Sequence, residues 1–128
     1  MPILNVKVSA KKSAALTERI SAHLLDITTR ILYKKREVIA IAIDYIDRDC
    51  WIVGGKPLGE KNSFYFDIKI TDETNTKEEK ARYIQEAFAG FEKILGNLHE
   101  ESYVYVQDVR ATAYGYGGHT QEYRFHHG

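Results

Sequence analysis

The sequence predicts an α+β fold made of two tandem βαβ units. Three observations carry this: strands with alternating apolar residues, two capped amphipathic helices between them, and a match of the chain to itself at an offset of 63 residues. The units fall at about residues 1–62 and 63–128 of a single domain. Parallel strands joined through a helix cross over right-handedly, so the units should share one four-stranded sheet with both helices on one face.

The first strand lies in MPILNVKV, where Leu4, Val6 and Val8 alternate with Asn5 and Lys7. Ser13 can cap a helix whose Leu16, Ile20, Leu24, Ile27 and Ile31 recur every three or four positions. EVIAIAID is apolar on both faces and reads as a central strand covered on each side. DRDCWIVGGKPLGEKN is a turn region punctuated by Gly54, Gly55 and Pro57, with Trp51 just ahead of the glycines.

The cycle then repeats. SFYFDIKI alternates Phe64, Phe66, Ile68 and Ile70 with polar residues. Thr76 and Glu79 form a capping box before a stripe of Ile84, Phe88, Phe91 and Leu95 that stops at Gly96-Asn97. SYVYVQDV is the last strand of the set, and YGYGGHTQEYRF is a second glycine-marked hairpin. The offset of 63 lays Ile41 on Val104, Ile43 on Val106, Trp51 on Tyr114, and Gly54-Gly55 on Gly117-Gly118. An offset of 62 lays Leu4, Val6 and Val8 on Phe66, Ile68 and Ile70. Ala40, Ala42, Tyr103 and Tyr105 should lie on the two central strands and leave part of the helix-free face apolar, a surface that identical subunits could cover.

Composition narrows the function classes. The 128 residues carry 18 basic and 18 acidic side chains, without the excess of Lys and Arg that a nucleic-acid partner requires. No apolar run approaches the ~20 residues of a membrane span, and no signal-peptide pattern opens the chain, so the expected compartment is the cytoplasm. The single Cys50 reads as a small packed residue. Five histidines show no metal-ligand spacing, and GYGGH follows a strand but opens no predicted helix, so neither a metal nor a dinucleotide cofactor is expected.

The start MPILNVKV, a helix over about residues 14–33, the strand VIAIAI and the hairpin WIVGGK resemble the 4-oxalocrotonate tautomerase subunit. The doubled length is similar to the fused branches of the tautomerase superfamily, which include macrophage migration inhibitory factor and the haloacrylate dehalogenases. The resemblance spans nearly the whole chain. It implies a homotrimer and a cofactor-free keto-enol tautomerase acting on a small 2-oxo or 2-hydroxy-enoic acid. Dehalogenation, decarboxylation or hydration, and a non-catalytic ligand-binding or signalling scaffold, are the alternatives it leaves open.

The resemblance also gives the opening Met-Pro a meaning. With Met1 removed, Pro2 would present a secondary amine at a strand end. An α-amino group has a pKa near ~8, which desolvation and nearby cations lower, leaving a neutral base at working pH. In the family this proline moves a proton between the carbons of an enol or dienol. Lys12 matches a substrate-binding arginine of the short tautomerases, though a lysine cannot form the bidentate fork. Lys34 matches a lysine of the cytokine-like branch, and Tyr103 an active-site tyrosine of that branch and the dehalogenases. Trp51 matches an aromatic pocket wall, with Tyr114 as its counterpart in the second unit.

Two departures accompany these matches. Ala40 stands in place of a second arginine, and TDETNTKEEK lacks the arginines of the dehalogenases and the decarboxylase. Arg110, His119 and Arg124 are the cationic groups that could replace them from a neighbouring subunit. Lys12 and Lys34 also read as solvated helix-end charges, and Tyr103 as sheet packing.

Overall fold

The computed structural model describes residues 2–127. Strand β1 (Ile3–Val8) leads into helix α1 (Ala14–Arg30), and after a 3₁₀ turn at Arg36–Val38 the chain forms β2 (Ala40–Tyr45). A hairpin of β3 (Ile52–Val53) and β4 (Lys56–Pro57) follows. The second unit comprises β5 (Phe64–Thr71), α2 (Lys77–Leu95) and β6 (Tyr103–Val109), then a hairpin of β7 (Gly115–Tyr116) and β8 (His119–Thr120) and a short helix α3 (Gln121–His127). Starting points of α1 and α2, β2 and β6, β3 and β7, and β4 and β8 are each 63 residues apart.

The sheet order is β2-β1-β5-β6, parallel within each unit and antiparallel where β1 meets β5. Leu4, Val6, Val8, Phe64, Phe66, Ile68 and Ile70 are buried on one face together with Ile20, Leu24 and Ile27 of α1 and Tyr83, Ala87 and Phe91 of α2. Each buried Val, Leu, Ile or Phe among them is worth roughly 1.5–3 kcal/mol relative to exposure. Both helices therefore lie on one face, as right-handed crossovers predict. The caps form as expected: Ser13 Oγ accepts from the Leu16 amide at 3.0 Å, and Thr76 and Glu79 complete a capping box.

Four expectations need correction. EVIAIAID does not supply a central strand: β2 is an edge, and β1 and β5 hold the centre. Ala40, Ala42, Tyr103 and Tyr105 are accordingly exposed on the helix-free face of the two edge strands. The buried stripe of α2 runs through Tyr83, Ala87 and Phe91, leaving Ile84 exposed, because Tyr83 finds a hydroxyl partner in Thr28 at 2.8 Å beneath α1. Cys50 is exposed, since the 3₁₀ turn at Arg48–Cys50 carries it to the surface. No helix among the described residues is long and apolar enough to cross a membrane.

Candidate active site

At the end of the sheet where β1 begins, a groove of about 530 Å³ opens, and Pro2 lies buried in its wall. The Pro2 carbonyl accepts a hydrogen bond from the Ala40 amide at 3.0 Å, which fixes this residue to the start of β2. Continuing the antiparallel register beyond the Leu4–Ile68 pair brings Ile3 opposite Lys69 and Pro2 opposite Ile70. The end of β5 thus forms the floor beside Pro2.

Lys34 follows α1 and donates from Nζ to Thr74 Oγ1 at 3.1 Å. Burial pushes its ammonium below the usual lysine range, against the opposing pull of the Glu79 and Asp108 carboxylates. Tyr114 is tied to the sheet by a hydrogen bond between its hydroxyl and that of Thr71. Helix α3 closes the groove from the side of the second hairpin. Its first turn is capped by Thr120 Oγ1, which accepts from the Tyr123 amide at 3.0 Å, and the Gln121 amide donates to the Tyr114 carbonyl at 2.9 Å. Arg124 lies over the Tyr116 ring, 3.9 Å from its centroid, and donates to the Tyr116 carbonyl from Nε at 3.2 Å and Nη2 at 2.8 Å. Gly117 makes room for it: a Cβ there would come within 2.5 Å of Arg124 Nη2. Lys34, Lys35, Lys69 and Arg124 are the Lys and Arg side chains of the lining, and no Asp or Glu belongs to it.

Of the residues singled out in the sequence, Pro2, Lys34 and Tyr114 share this groove within one chain, and Arg124 joins them. Arg110 sits at the same end, one residue past β6, but is exposed and outside the lining. Lys12, Trp51 and Tyr103 lie at the opposite end. Lys12 follows the far end of β1, and Trp51 opens the hairpin that follows β2, whose Tyr45 pairs with Val8. Tyr103 pairs with Tyr65 at the start of β5, about 20 Å along the strand from Thr71 at ~3.3 Å per residue. It is exposed, and its hydroxyl donates to Glu101 at 2.8 Å, a bond that pushes the phenol up. A single chain therefore does not bring these three to Pro2. His119 lies outside the lining and stacks on Tyr123, with ring centroids 4.3 Å apart.

Lys69 and Gln121 line the groove without having been singled out in the sequence. Lys69 reads only as the polar side of an alternating strand, and its place beside Pro2 follows from the β1–β5 register, which no local pattern reveals. Gln121 belongs to α3, for which the Thr120 cap was the available signal. Among the described residues no group of three or more His, Cys, Asp or Glu is arranged to hold a metal ion.

No family model and no curated protein matches the sequence. Solved structures do match in shape. Pt0534, inactivated by 2-oxo-3-pentynoate, superposes with a TM-score of 0.82 at 13% identity, covering 94% of this chain and 98% of its own. A wild-type fused 4-OT, in a symmetric trimer, gives 0.81 at 17% identity over 94% and 96%. The macrophage migration inhibitory factor-like protein of Entamoeba histolytica gives 0.76 at 18% identity over 93% and 97%. In fold, then, this chain stands with the fused 4-OT and macrophage migration inhibitory factor-like proteins.

Proposed function

We propose that the protein is a cofactor-free keto-enol tautomerase that uses the amine of Pro2 as its general base. The observation that carries the reading is Pro2 itself, buried at the start of β1 in a groove lined by four Lys and Arg side chains and no carboxylate. Such surroundings disfavour a further positive charge and hold a secondary amine neutral. Removal of Met1, which lies outside the described residues, is part of the proposal. The neutral amine takes the hydroxyl proton of a 2-hydroxy-enoic acid as the C=O bond forms, and the former C=C electron pair takes a proton from the resulting ammonium at carbon. Lys34, partly desolvated and hydrogen-bonded to Thr74, supports the oxygen whose charge changes in this step.

A homotrimer belongs to the same reading. The exposed Ala40, Ala42, Tyr103 and Tyr105 on the helix-free face favour cover by other copies, and fused 4-OT neighbours are trimers. In such an assembly a neighbour could contribute Lys12, Trp51, Tyr103 or Arg110 to the groove.

The test is ultraviolet-monitored ketonisation of phenylenolpyruvate and 2-hydroxymuconate by protein whose intact mass shows Met1 absent. Pro2→Ala should lower kcat/KM by at least about 100-fold, the usual worth of a positioned base. Equal rates for the two proteins, or a wild type at the uncatalysed rate, would overturn the assignment. A monomer in sedimentation would remove the trimer.

A further inference from the structure

On the helix-free face of the sheet a carboxylate is nearly buried. Asp67 is 8% exposed and takes three donors: Lys69 Nζ at 3.0 Å on Oδ1, and the Tyr65 hydroxyl at 2.9 Å and Asn5 Nδ2 at 3.3 Å on Oδ2. A carboxylate in such a place is costly unless hydrogen-bonded, and here side chains of both central strands supply the bonds. The ion pair is lopsided. The Asp67 side chain is 11% exposed and that of Lys69 48%, so within one chain a fixed anion leashes a far more open cation. Lys69 is also the member of this cluster that lines the Pro2 groove.

We propose that Lys69 is the anchor for the substrate carboxylate in the Pro2 groove, and that Asp67 is the positioning residue that aims it. An ammonium has three donors, of which Asp67 takes one and leaves two for a ligand. The other cations of the lining are less suited. Arg124 turns its Nε and one terminal nitrogen to the Tyr116 carbonyl, Lys35 has no ion-pair partner among the described residues to aim it, and Lys34 reaches the groove from the helix layer. Lys69, across from Ile3, comes from the opposite face of the sheet. Lys34 and Lys69 thus approach the groove from the two faces of the sheet, so a carboxylate on Lys69 directs the enol oxygen of the same substrate toward Lys34.

This inference rests on the tautomerase reading for its substrate, and a paired experiment separates the two. Ketonisation of phenylenolpyruvate and of its methyl ester would be measured for wild type, Lys69→Met, Lys69→Arg and Asp67→Asn. Lys69→Met should raise KM for the acid about tenfold, the worth of one charge-assisted hydrogen bond at a half-exposed site. The KM of the ester should not respond to the change. Lys69→Arg should restore most of the loss, and Asp67→Asn should weaken the acid alone. Acid and ester falling together, or neither changing, overturns the anchor. Calorimetric binding of 3-phenylpropionate decides the case independently of turnover: weakening of about tenfold in Lys69→Met supports the anchor even if wild type proves inactive and the tautomerase reading fails. Equal affinity in the two proteins, or no binding to wild type, removes it.

Discussion

The two ends of the sheet have nearly the same backbone and different chemistry. At one end the Gln121 amide donates to the Tyr114 carbonyl at 2.9 Å, and at the other the Leu58 amide donates to the Trp51 carbonyl at 3.2 Å, 63 residues earlier in both partners. The left-handed glycines of the hairpins correspond as well, with φ of 59° and 80° at Gly54 and Gly55 and 63° and 84° at Gly117 and Gly118. The side chains diverge. Where one end has Pro2, the other has Phe64, fully buried and stacked on Phe91 with centroids 4.0 Å apart. Where one has Gln121 and Lys34, the other has Leu58, 7% exposed, and Asn97, whose Nδ2 donates to the Glu60 carbonyl at 3.0 Å. A repeated fold supplies two equivalent mouths, and side-chain choice closes one with hydrocarbon while lining the other with cations.

The strongest way to break this comparison is to truncate the paired positions. Phe64→Ala should cost about 3–5 kcal/mol in urea unfolding, the usual loss for a buried phenylalanine, whereas Pro2→Ala should cost about 1 kcal/mol or less and lower kcat/KM by at least about 100-fold instead. Loss of stability at both positions would show that the Pro2 end is packing too. Next comes Gln121→Leu, which installs the residue of the closed end. The Gln121 Oε1 is buried without a hydrogen-bond partner, so the substitution should raise stability by about 1–2 kcal/mol, read as a higher urea midpoint.

Tyr33 offers a smaller effect. It lines the open groove at φ 59°, 70% exposed, where the closed end has Gly96 at φ 72°. A tyrosine in the left-handed region costs about 1 kcal/mol, so Tyr33→Gly should leave the midpoint unchanged or slightly higher while removing an aromatic wall, and thermal unfolding with KM checks both. The smallest expected change tests the helix layer that both ends share. Burial lowers the pKa of His23, against its hydrogen bond to the Ala87 carbonyl, here 3.2 Å from Nε2. With the folded value below the free one, the unfolded chain binds the extra proton, so His23 contributes fully above about pH 6.5 and the contribution fades as pH falls through the folded value. Urea midpoints should therefore decline from pH 7 to 5, and His23→Phe should flatten that decline without altering substrate affinity.

Much of the fold was legible because it rests on local chemistry that the chain states twice. Ser13 and Thr76 cap as their neighbours require, and both glycine pairs turn as hairpins. The errors arose where another part of the molecule decides. β2 looked central because both of its faces are apolar, yet in one chain Ala40 and Ala42 have nothing over them. The α2 stripe shifted onto Tyr83 because Thr28, 55 residues away, satisfies its hydroxyl. The site was legible in part: Pro2, Lys34 and Tyr114 converge, while Lys69 enters through strand register and Lys12, Trp51 and Tyr103 lie too far along the sheet to meet Pro2 within one chain.

The near-twofold repeat also sets a stoichiometry. Two strand starts, at Pro2 and at Phe64, occupy matching places, but the nitrogen of Phe64 is an amide joined to Ser63 and can never become a basic amine. A chain has one amino terminus however often its architecture recurs. With Met1 removed, an electrophile selective for a neutral α-amine should accordingly label one position per polypeptide, and a trimer would carry three such centres among six repeat-related sheet ends.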